Sequence, residues 1–161
     1  LMSESAIGFD GLLHYYENNI ENYEATEALY KYLKISHKKP KPYIVDADKK
    51  LIELFKSEKD LYSGFTSTNL GFYGPQGRVL RLKLQDPDFI DQLVDFKFQE
   101  KTITNLEMET SAIYALSKLL GHKALSMNAI IANRATGHFS KNPKKCVDAL
   151  IQFTLNKLAT L

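Results

Sequence analysis

Short apolar runs that end in polar turns alternate along this chain with segments of helical period, and that alternation most narrows the folds open to it. Strand-like runs are expected at Tyr43–Val45, Tyr62–Leu70 and Thr102–Leu106. The almost wholly apolar Ala124–Ala132 is expected to be a strand buried on both faces. Residues 6 to 16 read as an extended segment broken by Gly8 and Gly11. Nothing ahead of that run looks like a first strand, as though the chain began in the middle of a fold. Between these lie helical patterns. Asn22–Leu33 carries Tyr23, Leu29, Tyr30 and Leu33 near helical spacing. Asp46 or Asp48 caps a helix with Leu51, Ile52, Leu54 and Phe55. Pro87-Asp88 opens one with Phe89, Ile90, Leu93, Val94 and Phe96, and Glu109–Leu120 is closed by Gly121. The last helix starts at Asn142-Pro143 and repeats Val147, Leu150, Ile151, Leu155 and Leu158. Strands and helices in alternation build an α/β sheet covered on both faces.

Composition removes several function classes. The 161 residues suit one domain or most of one, and a net charge of +2 is too small for an electrostatic footprint on nucleic acid. The densest basic run, His37-Lys38-Lys39-Pro40-Lys41, has prolines and no interleaved aromatics, so it reads as a solvated loop. No apolar stretch is long enough for a bilayer, and no membrane partner is expected. The single cysteine, Cys146, forbids an intrachain disulfide and agrees with a cytoplasmic location; its apolar helical surroundings predict a buried small hydrophobe. Without a CxxC pair or an HExxH, no protein-held metal is expected. His14, His37, His122 and His138 lack ligand or triad spacing; only His138, expected in a loop, stays as a candidate.

Ligands in open α/β sheets bind beyond the carboxyl ends of strands, and three segments here end a strand and turn polar. In Gly71-Phe72-Tyr73-Gly74-Pro75-Gln76-Gly77-Arg78, glycines and a proline tighten the loop. Gln76 and Arg78, two apart, reach one side of an extended backbone. An amide beside a guanidinium suits the carbonyl and N–H edge of uracil, and Phe72 suits stacking on the base. A polar surface turn is the plain alternative. In Leu106-Glu107-Met108-Glu109-Thr110-Ser111-Ala112, two acids flank a methionine where a strand becomes a helix. The helix dipole keeps Glu109 ionised. An ionised carboxylate accepts from two neighbouring hydroxyls, as in a ribose 2′,3′-diol, and Met108 suits the sugar face. An acid pair that merely caps the helix is the alternative. In Asn128-Ala129-Ile130-Ile131-Ala132-Asn133-Arg134, Ile131 and Ala132 suit a pocket wall and Arg134 suits support of the base loop. A core strand with a polar exit fits that segment as well.

Taken together and in this order, the three segments resemble the uridine phosphorylases, of the phosphorylases and nucleosidases that share a three-layer α/β/α fold. The residues carrying the resemblance are Phe72, Tyr73, Gln76 and Arg78; then Glu107, Met108, Glu109 and the following Ser111-Ala112; then Ile130-Ile131-Ala132-Asn133-Arg134. Gly8-Phe9-Asp10-Gly11 is similar to a strand-connecting segment of the family's middle region. The resemblance implies an α/β fold with its N-terminal strands missing, residues 1–161 forming a single partial domain. It also implies phosphorolysis of uridine to uracil and ribose 1-phosphate, with phosphate as co-substrate and no other cofactor. Gln76, Arg78 and Glu109 take the catalytic roles. Phe72, Glu107, Met108, Ile131 and Ala132 complete the nucleoside site, and Arg134 supports the base site. Many purine-specific members carry aspartate where this chain has Asn133, so purines are disfavoured. The phosphate loop and phosphate-binding arginines of full-length members are not matched here, so the isolated chain is expected to bind phosphate poorly. A non-catalytic nucleoside-binding module and a nucleosidase remain the alternatives, and dimer-based assembly is implied for a full-length member.

Overall fold

The computed structural model describes residues 1–34, 36–56, 61–133 and 136–160. Its centre is β1 (Met2–Gly8), flanked on one side by β3 (Ser63–Thr68) and then β5 (Lys101–Glu107), both running parallel to it. The opposite edge of β1 is shared by two antiparallel strands. β2 (Tyr43–Asp46) takes Ser5 to Gly8, and β6 (Ser126–Met127) takes Met2 and Ser3. β4 (Lys97–Phe98) closes the far edge as a hairpin on β5. The carboxyl ends of β1, β3 and β5 therefore lie side by side, with Gly8 opposite Thr68 and Thr68 opposite Glu107.

Alternation along the strands sends neighbours to opposite faces, and each face has its own core. On one, Ile7, Ile44 and Phe65 meet Ala25 and Leu29 from α1 (Tyr23–Tyr32), Leu33 just after it, and Phe89 and Leu93 from α3 (Phe89–Asp95). On the other, Ala6, Tyr43 and Val45 meet Tyr114 and Ala115 of α4 (Thr110–Leu119), with Ile52 of α2 (Lys49–Lys56) packed beside them. The expected three-layer α/β/α arrangement is present. Helix starts follow their capping residues. Asn22 Oδ1 accepts from Ala25 N at 3.2 Å, and Asp48 Oδ1 accepts from Lys50 N and Leu51 N at 3.0 and 3.1 Å. Tyr23 and Tyr30, placed by spacing on the inner side of α1, face solvent instead; Ala25, Thr26 and Leu29 are the buried set.

Three sequence-based expectations are corrected. The segment at the start of the chain is no interrupted run from residue 6: it is the central strand from Met2 onward. Its polar Ser3 and Ser5 are buried because their hydroxyls are matched, Ser3 to Thr66 Oγ1 at 2.5 Å and Ser5 to Asp46 Oδ1 at 2.7 Å. Ala124–Ala132 is not one buried strand. β2 already occupies most of that edge of β1, so β6 pairs over two residues only. The chain then leaves the sheet to form an exposed hairpin, β7 (Ala132–Asn133) with β8 (His138–Phe139). Cys146 is exposed, because α5 (Pro143–Leu158) buries none of its residues and touches the body through Phe153, whose ring lies 5.8 Å from that of Phe55. Among the described residues, no helix is long and apolar enough to cross a membrane.

Gly8 ends β1 where no side chain fits: a Cβ there would lie 2.2 to 2.6 Å from the ring of Tyr43. Gly8→Ala is expected to push Tyr43 aside and lower stability by about 1–3 kcal/mol, read as a lower urea midpoint; an unchanged midpoint would contradict this packing.

Candidate functional site

The three parallel strand ends hand over to the segments singled out by sequence. β3 ends at Thr68, and Asn69 N donates to Glu107 O at 2.9 Å, stitching the start of one segment to the start of the other. The 71–78 loop is not extended. A 3₁₀ turn at Gly74–Gln76 and a left-handed Gly77 (φ 75°) fold it back, and a Cβ on Gly77 would lie 2.4 Å from Ile90 Cγ1. This turn, rather than strand alternation, brings the polar pair together. Gln76 is buried, and Arg78 Nη1 donates to its Oε1 at 2.9 Å. The same nitrogen donates to Phe72 O, and the guanidinium carbon sits 3.5 Å from the Phe72 ring centre. One face of Phe72 is thus covered by Arg78, its neighbour Tyr73 meets it edge-on, and the ring stays half exposed.

The two acids of the second segment have separate jobs. Glu107, the last residue of β5, uses both oxygens internally. Oε1 accepts from Thr68 Oγ1 at 2.5 Å, and Oε2 accepts from Glu109 N and Thr110 N, each at 2.8 Å. It is therefore the carboxylate that caps α4 and meets the positive end of its dipole. Glu109 occupies the N-cap position without a side-chain cap bond. Its carboxylate is exposed and forms no hydrogen bond or ion pair among the described residues. Met108 is exposed beside it. The capping function weighed for the pair as a whole falls to Glu107 alone.

Two residues that sequence reasoning missed join this edge. Asp10, just beyond β1, accepts from Leu12 N at 2.8 Å and Ser111 Oγ at 2.7 Å, and Tyr43 OH donates to it at 3.2 Å. Burial pushes the Tyr43 hydroxyl well above the usual tyrosine range, and the Asp10 charge adds to that, so it remains a donor. Asn69 is buried. Its Nδ2 donates to Ser67, while its Oδ1 has no hydrogen-bond partner among the described residues. The sequence signal for Asn69 was its place right after a strand, and for Asp10 its place in the Gly8-Phe9-Asp10-Gly11 segment. A groove of about 950 Å³ opens here, walled by Phe9, Asn69, Tyr73, Arg78, Phe89 and the 80–86 segment. It takes in the base-loop residues Tyr73 and Arg78 but not Glu109.

The third segment stands differently. Ile131 is about half exposed and Ala132 is exposed on β7, and neither is part of the groove wall. Asn133 Oδ1 accepts from Thr136 N at 3.1 Å, holding the β7–β8 turn, and His138 is exposed on β8. Arg134 lies outside the described residues.

A sequence model of the phosphorylase superfamily matches residues 1–159. A uridine phosphorylase of Thermococcus kodakarensis is 37% identical over 82 residues, which is 51% of this chain and 29% of that protein. The crystal structure of a Trypanosoma brucei nucleoside phosphorylase that shows uridine phosphorylase activity superposes with a TM-score of 0.82 at 21% identity, over 99% of this chain and 57% of that one. The chain thus spans well under two thirds of the length of either relative. It belongs to the phosphorylase superfamily.

Glu107→Gln keeps the shape of the cap and removes its charge. It is expected to cost about 1 kcal/mol of stability by urea denaturation, and an unchanged midpoint would contradict the capping role.

Proposed function

We propose that this member of the phosphorylase superfamily holds the nucleoside side of a uridine phosphorylase site. The observation that carries the reading is the adjacency of its two polar turns. The Gln76/Arg78 loop follows β3 and the Glu109 turn follows β5, and these strands are neighbours in the sheet with Thr68 opposite Glu107. A pyrimidine on the first turn and a ribose on the second are then parts of one molecule lying across the strand ends.

Each group has a task in that pose. Gln76 and Arg78 hold the carbonyl and N–H edge of uracil. Phe72 offers its uncovered side to the base, and Met108 packs against the sugar. Glu109, with no internal partner among the described residues, accepts from the ribose 2′- and 3′-hydroxyls through charge-assisted hydrogen bonds. In phosphorolysis a phosphate oxygen forms a bond to C1′ while the bond from C1′ to N1 breaks. The bonding pair departs with uracil, and the sugar passes through an oxocarbenium-like state. Arg78 stabilises the negative charge that grows on the leaving base, while the Glu109 carboxylate holds the sugar beside it. Glu107 supports the turn from beneath. Phosphate is the co-substrate, and no residue of this chain is assigned to it. The match to a uridine phosphorylase over half of this chain supports pyrimidine over purine.

Calorimetric titration tests the reading. Uridine is expected to bind and inosine not to. Glu109→Ala and Arg78→Ala are each expected to weaken uridine by roughly tenfold or more, the scale of a lost charge-assisted hydrogen bond. Unchanged affinity in both variants would refute the assignment.

A further inference from the structure

The carboxylate assigned to the sugar sits on a turn whose own anchorage runs unusually deep into the sheet. From Glu109 N the hydrogen bonds lead to Glu107 Oε2 at 2.8 Å, and from Glu107 Oε1 to Thr68 Oγ1 at 2.5 Å. From Thr68 Oγ1 they lead to Ser111 N at 2.9 Å, and from Ser111 Oγ to Asp10 Oδ2 at 2.7 Å. This chain touches the carboxyl ends of β1, β3 and β5 and the first turn of α4. Thr68 is buried at its centre.

Directionality makes Thr68 the decisive link. Ser111 N can only donate, so Thr68 Oγ1 accepts there, and its one proton is left for Glu107, which can only accept when ionised. The hydroxyl therefore fixes which oxygen of Glu107 is held from the sheet and which is turned to the amides of Glu109 and Thr110. At the far end the Asp10 carboxylate takes the Ser111 hydroxyl proton and sets that side chain in turn. Without Thr68 Oγ1, Ser111 N loses its side-chain acceptor. Glu107 keeps only its bonds to the turn it is meant to orient, so carboxylate and turn are free to swing together.

We infer that Thr68 is a positioning residue for the sugar end of the site: through Glu107 it holds the backbone of Glu109 so that the Glu109 carboxylate faces the ribose diol. The inference rests on the reading of Glu109 as the ribose ligand, and it adds a residue that touches no substrate. Thr68→Val keeps the shape and removes both hydrogen bonds; Thr68→Ser restores them.

Two measurements on the full chain separate this inference from a merely stabilising role. The first is amide hydrogen exchange at Glu109 and Thr110 without nucleoside. Thr68→Val is expected to speed both by tenfold or more, with Thr68→Ser close to the parent protein; unaltered exchange overturns the inference. The second compares uridine with 2′,3′-dideoxyuridine by calorimetry. The parent protein is expected to favour uridine, Thr68→Val to lose most of that preference with dideoxyuridine affinity unchanged, and Thr68→Ser to regain it. A parent protein with no preference sinks the Glu109 reading itself. A preference that survives in Thr68→Val sinks the positioning role alone. Should Thr68→Val not fold, Thr68→Ala removes the same two hydrogen bonds and carries the same expectation for exchange and preference.

Discussion

The carboxylate of Glu107 is the joint on which this end of the molecule depends. One oxygen is held by β3 through Thr68, and the other holds the first amides of α4. An ionised group accepting three donors at a helix N-terminus is stabilised both by its hydrogen bonds and by the helix dipole. That arrangement does more than end a strand and start a helix. It commits Glu107 to architecture and leaves its neighbour two residues on, Glu109, exposed and without a hydrogen bond or ion pair among the described residues. The same division of labour recurs in the base loop, where Arg78 is aimed by Gln76 and by the Phe72 carbonyl and ring.

The joint stands on a paired and packed sheet. β1, β3 and β5 run parallel; β1 sends Ile7 into the core with α1 and α3 and Ala6 into the core with α4, and Phe65 of β3 joins the first. The carboxyl end of β1 cannot shift without disturbing two cores. Polar side chains that enter this interior do so in matched pairs. Ser3 meets Thr66, Ser5 meets Asp46, and Tyr114 OH bridges Ser3 O and Ser126 N at 2.7 and 2.8 Å. Asn69 Oδ1 is the exception among the described residues, and it lies at the junction of the two polar turns.

Much of this was legible in the sequence where local chemistry and tertiary context agree. The helices beginning at Asn22, Asp48 and Asn142 start where their capping side chains stand, because a cap is a contact between near neighbours. The α/β class followed from alternating periods. The contacts that were not legible are those set by distant partners. The length of β6 depends on how much of β1 is left by β2, and nothing within Ala124–Ala132 encodes that. The tight hairpin from β4 to β5 turns at Gln99 with φ of 54° and lacks the glycine or asparagine that usually marks such a turn. The apolar stripe of α5 has the pattern of a buried helix, yet Val147, Ile151, Leu155 and Leu158 are exposed in this chain, and Cys146 with them. For the candidate site, residue types and order pointed to Gln76, Arg78 and Glu109. The split between a capping Glu107 and an uncommitted Glu109, and the parts played by Asp10 and Thr68, required the register of three strands.

The central claim is that one nucleoside lies across both polar turns at once. Its most direct test is a backbone amide NMR titration of the chain with uridine. The account expects signals from residues 72–78 and from residues 107–111 to shift together, with one shared binding curve, while those of the exposed helix α5 stay in place. Shifts confined to one turn, or two turns following different curves, would contradict it.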